Sequence, residues 1–176
     1  MSKRKSTICG KVWRFGSNIS TDDIISGVRL GRISTTELTP YVFEHLRPEF
    51  AEKVQSSDII VADEHFGIGS SREEAPAILL HLGIGAIVAP SFARIFFRNA
   101  FNLGLPAIEF PELAKSPEEI QEGDVIEINL NDGTLLNHRT QKRFKTTKIP
   151  SFLLDYLDAG GVISLLKKKA QTVITQ

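Results

Sequence analysis

One cysteine, Cys9, stands alone among 176 residues. No intrachain disulfide can form, and this chain alone cannot build a Cys₄ zinc site or a cysteine-ligated iron–sulfur cluster. A single thiol without a disulfide framework fits a reducing compartment. Excess charge is also missing: Lys plus Arg total 21 and Asp plus Glu total 21. A nucleic-acid binder carries a basic surplus or stripe. The basic triplets here, Lys3-Arg4-Lys5 and Lys167-Lys168-Lys169, are terminal and read as solvated ends. No apolar run approaches the ~20 residues that cross a bilayer. The first residues lack the apolar core of a secretory signal. These absences point to a soluble cytoplasmic protein that binds neither nucleic acid nor membrane. The histidines (His45, His65, His81 and His138) are scattered, with no pair at metal-ligand spacing, so no metal site is expected.

What remains is the make-up of a globular domain. Hydrophobic residues form 41% of the chain. Its length suits a single domain at roughly 150 residues each. A chain of this size buries about 70% of its unfolded surface and needs no covalent staples. No internal repeat or low-complexity segment interrupts it.

Periodicity predicts an order of elements. Ile8 to Phe15 is strand-like, and the polar turn Gly16-Ser17-Asn18 follows. Ser26 to Ser34 is Gly/Arg-rich and aperiodic, a loop. Ser34-Thr35-Thr36-Glu37 has the capping-box pattern, and short helices broken at Pro40 and Pro48 run to Phe50. A cleaner alternation comes next. Asp58 to Ala62, Ile84 to Ala89 and Leu105 to Phe110 are short apolar runs suited to buried strands. Between them, Arg72 to Leu82 and Ser91 to Leu103 read as helices closed by Gly83 and Gly104. This βαβαβ rhythm has crossovers long enough for parallel pairing. The tail changes character. Asp124 to Leu130 alternates, Asn131-Asp132-Gly133 is a hairpin signal, and Thr134 to Thr147 continues as β. Ser151 to Leu157 and Val162 to Lys169 read as two helices split at Gly160-Gly161. The expectation is one α/β domain over 1–176. Its core spans about 8–112, is mainly parallel, and is followed by an antiparallel hairpin and helical tail at about 120–170.

Chemistry concentrates in His65-Phe66-Gly67-Ile68-Gly69-Ser70-Ser71-Arg72-Glu73, between a predicted strand and a predicted helix. Two glycines permit a tight bend. The serines then fall at or just before a helix N-terminus, where free N–H groups and the dipole favour an anion. Arg72 adds a planar fork that grips a carboxylate bidentately. The plain alternative is a serine N-cap beside a surface arginine. The loop is neither a Walker A sequence nor a dinucleotide fingerprint. A second group, Ser20-Thr21-Asp22-Asp23, has paired acids that orient an arginine or simply cap a helix. A third is Ser91-Phe92-Ala93-Arg94-Ile95-Phe96-Phe97-Arg98-Asn99. Its aromatics read as core, and Arg94 and Arg98 read as partners in structural ion pairs.

Thr21-Asp22-Asp23-Ile24-Ile25, Gly67-Ile68-Gly69-Ser70-Ser71-Arg72-Glu73, Ser91-Phe92-Ala93-Arg94-Ile95 and Asn102-Leu103-Gly104-Leu105-Pro106 occur in that order. Together they resemble the small-subunit family of 3-isopropylmalate dehydratase, stand-alone relatives of the swivelling fourth domain of aconitase. The likeness runs from about Val12 to Phe110 and more weakly through 124–169. It implies a three-layer β/β/α swivelling domain. It also implies a partner, a large subunit whose three cysteines hold a [4Fe–4S] cluster, with no cofactor and no metal bound by this chain. The implied reaction is the dehydration and rehydration that interconverts 2- and 3-isopropylmalate in leucine biosynthesis. The cluster iron would act as Lewis acid on the departing hydroxyl. By the same resemblance Ser70 matches the general base, whose alkoxide needs positive potential from Arg72 and a helix terminus. Arg72 matches a carboxylate-binding arginine and Ser71 its neighbour at the site; Asp22, an aspartate that holds polar partners in place, and Thr21 beside it are likewise implied among the substrate-binding residues.

The sequence departs from the family at Ser26-Gly27-Val28-Arg29-Leu30, where Pro-Ala-Arg-Tyr-Leu is usual, at Ile68 (often Cys) and at Glu74 (often His). The first departure lies in the loop that reads the substrate's side group. Arg29 or Arg32 would suit an extra carboxylate, as in homoaconitase-type relatives. Val28, Leu30 and Ile33 would suit an apolar group, as in isopropylmalate or a dimethylmalate-like substrate. Outside the enzyme class, the same anion site would fit a non-catalytic regulatory domain.

Overall fold

The computed structural model describes residues 6–31 and 34–174; Arg32 and Ile33 lie outside the described residues. In chain order the elements are β1 (Thr7–Phe15), α1 (Thr21–Ile24), α2 (Thr35–Leu38), α3 (Phe50–Lys53), β2 (Ile59–Ala62) and α4 (Glu74–His81). Then come β3 (Ala86–Ala89), α5 (Arg94–Leu103), β4 (Ala107–Glu109), β5 (Val125–Asn129), β6 (Thr134–Asn137), β7 (Arg143–Lys145), α6 (Ser151–Ala159) and α7 (Val162–Ile174).

The strands form a seven-stranded sheet in the order β4-β3-β2-β1-β5-β6-β7. β1 is shared by two halves of different character. Its Val12–Phe15 segment pairs in parallel with Ile59–Ala62. Its Thr7–Lys11 segment pairs antiparallel with Val125–Asn129. β2 and β3 are buried at every position, as parallel strands covered on both faces must be. β5 and β6 alternate between buried and more exposed residues, so one of their faces meets solvent. The sheet curls until its edges meet. Thr147 N–H donates to the Glu109 carbonyl at 2.9 Å, and the Phe110 and Phe144 rings lie 5.5 Å apart. The expected parallel core with an antiparallel addition is what forms, and the tail is not an appendage. The hydrophobic core runs continuously from Ile8 to Leu157, and α6 and α7 pack on α5.

Residues 42–49, between a short 3₁₀ turn (Thr39–Tyr41) and α3, are held by packing rather than regular structure. Trp13 and Phe15 on β1 interlock with Phe43 and Phe50 at centroid distances of 4.4–5.8 Å. Such aromatic pairs contribute about 0.5–1.5 kcal/mol each beyond simple burial. The capping box predicted at Ser34 forms, with Ser34 and Glu37 bonding reciprocally at the start of α2.

Two helices start later than their apolar periodicity predicts. α4 begins at Glu74 instead of Arg72, because Arg72 N–H turns back to the Ser70 carbonyl at 2.8 Å. α5 begins at Arg94 instead of Ser91, because Phe66 N–H donates to Ser91 C=O and Ala93 N–H to Phe66 C=O, which holds that segment extended. The predicted β run 134–147 is interrupted between β6 and β7, where Gln141 takes a left-handed φ of 59°.

The turns after β1, β2 and β3 leave the same end of the parallel half, the end where open α/β sheets bind ligands. Isolated bridges Ser20↔Ile68 and Phe66↔Phe92 lace the three turns together.

Candidate functional site

The bend after β2 departs from ordinary backbone at three places: His65 (φ 65°), Gly67 (φ 80°) and Gly69 (φ 98°). At Gly67 a side chain is excluded twice over, since a Cβ would also lie 2.3 Å from Phe96 Cγ. Backbone bonds pin the bend on both sides. Gly67 N–H donates to Ile19 C=O at 2.7 Å, and Thr21 N–H to Ile68 C=O at 2.8 Å. His65 N–H donates to Ser91 Oγ at 3.0 Å. The result is a rigid ledge that presents residues 70–72.

Ser70 and Ser71 are exposed on that ledge. Neither hydroxyl has a partner among the described residues. Arg72 is more enclosed, with its side chain 19% exposed. Its Nη1 donates to Asp22 Oδ1 at 2.5 Å and to the Ile25 carbonyl at 3.4 Å. Asp22 Oδ1 also accepts from Gly27 N–H at 3.2 Å. The guanidinium passes so close to Gly27 that a Cβ there would meet Arg72 Nη2 at 2.7 Å. Gly27 thus makes room for the arginine. A guanidinium carries five N–H donors; Asp22 and the Ile25 carbonyl both engage Nη1, and Nη2 and Nε have no acceptor among the described residues. The Arg72 bond, helped by Gly27 N–H, holds the Asp22 carboxyl below its usual range. Asp22 is therefore a fixed anion that orients a fixed cation.

The structure revises three expectations. The serines do not cap α4; the N-cap is Glu73, with Glu74 in the first turn. Two acids at that terminus leave Arg72 as the main positive group beside Ser70. Thr21, expected among the substrate-binding residues, does not face solvent. It is 1% exposed, and its hydroxyl donates to the Ser70 carbonyl at 3.2 Å, so it supports the ledge from below. Arg94 and Arg98 form no structural ion pairs among the described residues. Both are exposed on an α5 segment that contains no acid, RIFFRNAFNL. The paired acids after Ser20 divide their work. Asp23 closes a capping box with Ser20, while Asp22 reaches Arg72. Sequence reasoning missed the structural parts of Gly27 and Ser91, since neither residue type carries a signal for them.

The loop after α1 also takes shape. Arg29 is committed elsewhere, with Nε and Nη2 bonding both Glu44 carboxylate oxygens at 3.2 and 3.0 Å. Its guanidinium also lies 4.0 Å from the Tyr41 ring centre. Val28, between Gly27 and Arg29, is 94% exposed. Arg32, the other arginine of this loop, lies outside the described residues. A separate apolar cleft of about 260 Å³, lined by Phe97, Phe101, Ile149 and Leu153 among others, includes none of these residues.

Comparison with known proteins fits this arrangement. The profile of the aconitase C-terminal domain matches residues 35–113. The chain is 49% identical to the 3-isopropylmalate dehydratase small subunit of Aliarcobacter butzleri, over 96% of this chain and 99% of that one. It is 44% identical to the isopropylmalate/citramalate isomerase small subunit of Methanocaldococcus jannaschii, over 94% of this chain and 96% of that one. A crystal structure of 3-isopropylmalate dehydratase from M. jannaschii superposes with a TM-score of 0.88 at 36% identity, covering 96% of this chain and 98% of that one.

Proposed function

The chain belongs to the family of 3-isopropylmalate dehydratase small subunits, and from that membership we propose that it is one half of a cytoplasmic hydro-lyase interconverting 2- and 3-isopropylmalate. It works as a single swivelling domain closed against a large subunit. The observation that carries the reading is the ledge itself: two free hydroxyls beside an arginine whose orientation Asp22 fixes.

The chemistry of this chain's residues follows from their positions. Arg72 offers the unpaired donors of Nη2 and Nε to a substrate carboxylate. That interaction holds the adjacent carbon, which carries the acidic proton, over the ledge. Ser70 Oγ takes that proton in dehydration and returns it in hydration. A serine hydroxyl is a weak base. The cation two residues away stabilises its alkoxide, and a partner closing over the exposed ledge excludes water and strengthens that field. Ser71 donates to the same carboxylate. Thr21 and Asp22 act as positioning residues beneath the ledge.

The cofactor of this family, a [4Fe–4S] cluster that activates the leaving hydroxyl, is assigned to the large subunit. A cysteine-held cluster does not fit this chain, whose one thiol, Cys9, lies on β1 away from the ledge. For the side group, the apolar tip Val28 next to Gly27 favours an isopropyl or smaller alkyl substituent. Arg29, held by Glu44 and Tyr41, offers no free clamp for a third carboxylate. The citramalate activity named for the M. jannaschii relative makes a methyl-bearing substrate the specific second reading.

The test is reconstitution with the large subunit and comparison of kcat/KM on isopropylmalate, citramalate and homoaconitate. We expect isopropylmalate to lead. Val28→Ala should lower its kcat/KM about tenfold, as for lost methyl contacts, and change citramalate less. A preference for homoaconitate that collapses in Arg29→Ala would overturn the assignment of the side group.

A further inference from the structure

The outer face of the antiparallel half carries a second constellation, unrelated to the ledge. Cys9 on β1 sits directly across from Glu127 on β5 in the strand register. Directly opposed residues have Cβ atoms about 4.5–5.5 Å apart. His138 follows β6 and is fixed there by donating its backbone N–H to Val125 C=O at 2.9 Å. Its Nε2 lies 3.8 Å from Glu127 Oε2. Cys9 Sγ, the carboxylate oxygen and the imidazole nitrogen all lie within 4.8 Å of one another. The neighbouring residues of opposite parity, Ile8, Ile126, Ile128 and Leu135, fill the core. The alternation that builds the sheet therefore drives the three donors to the same solvent face.

We propose that Cys9, Glu127 and His138 form a surface zinc site with an open fourth position for water. The donor set is a soft thiolate, an imidazole and one carboxylate, the mixture that selects zinc over hard cations. Zinc–ligand bonds of about 2.0–2.3 Å at tetrahedral angles need donor separations of about 3.3–3.7 Å. The imidazole and carboxylate are already close to that, and the thiol needs only a small side-chain rotation. Among the described residues no lysine or arginine pairs with the Glu127 carboxylate, whose one close nitrogen is His138 Nε2, and Cys9 is a free thiol at the surface. Binding would tie β1, β5 and the exit of β6 together. The sequence spacing of the histidines gives no hint of the site, because strand register, not helical spacing, assembles it.

Cobalt titration of the tag-free full chain tests the proposal. The expected result is a near-ultraviolet sulfur-to-cobalt charge-transfer band that saturates at one equivalent and is displaced by zinc. Cys9→Ser should abolish the band. Removing a group that only orients a metal ligand already costs about 10–100-fold in affinity, so losing a direct ligand in His138→Ala should weaken binding at least tenfold. Both positions are exposed, so metal-free melting curves should match the wild type. Zinc should raise the wild-type Tm and leave that of Cys9→Ser unmoved. The absence of a sulfur band in the wild type, or wild-type affinity in both variants, would overturn the proposal.

Discussion

Asp22 and Arg72 are sequence-distant residues made interdependent by one contact. Asp22→Asn keeps the size and loses the charge that fixes the guanidinium. A catalytic group misplaced by about 1 Å costs on the order of 100-fold. We therefore expect kcat/KM of the reconstituted enzyme to fall tenfold to hundredfold with folding intact, as steady-state kinetics and thermal melts can show together. A buried carboxylate elsewhere has a stability role with a defined sign. Burial raises the Asp124 pKa, but Arg139, Gln121 N–H and Asn137 together outweigh it, and the carboxyl sits below its ordinary 3.8. The stabilisation is therefore complete above that ordinary value and fades as pH falls through the lower folded one. Asp124→Asn should cost about 1–3 kcal/mol near neutral pH, the usual cost of unpaired buried partners. In urea melts that difference should shrink below about pH 4. An undiminished gap at pH 3 would contradict this account of Asp124.

Among the elements, the turns after β1 and β2 show how one glycine can be indispensable and another idle. Gly67 has a left-handed φ and no room for a Cβ against Phe96. Gly67→Ala should destabilise by about 2–4 kcal/mol through strain and overpacking. Gly16, where an added Cβ would meet nothing within 4 Å, should accept alanine with little change in the same urea titration. The strands and most helices were legible in the sequence because burial imposes their periods, and the Gly-Gly break between α6 and α7 was equally plain. The late starts of α4 and α5 were not legible. They depend on hydrogen bonds from Arg72 to Ser70 and between Phe66 and the 91–93 segment, which have no local signature. The same holds at the ledge. Residues 70–72 stood out by type, but the grip of Asp22 on Arg72, the space left by Gly27 and the burial of Thr21 arise only when the turns after β1 and β2 come together. The expected ion pairs of Arg94 and Arg98 do not form among the described residues: α5 supplies no acid of its own, and both side chains stand exposed.

At the scale of the molecule, β1 joins a parallel half, whose turns build the ledge, to an antiparallel half that closes the curl. The ledge stays open to solvent, with Ser70, Ser71 and much of Asp22 exposed. The serine base proposed for Ser70 would work poorly in bulk water, and the small-subunit names of the relatives imply a second polypeptide that could close over the ledge. The isolated chain should show no turnover, and activity should appear only on mixing with the large subunit. Turnover by the purified chain alone would contradict the division of labour proposed here.

Ser70→Ala in the reconstituted enzyme tests the central claim most directly. It removes one exposed hydroxyl with no partner among the described residues, so the variant should fold, assemble and bind substrate with KM within a few-fold of the wild type, while kcat falls by at least about 100-fold, as expected for loss of a general base. A kcat within a few-fold of the wild type would show that the proton goes elsewhere.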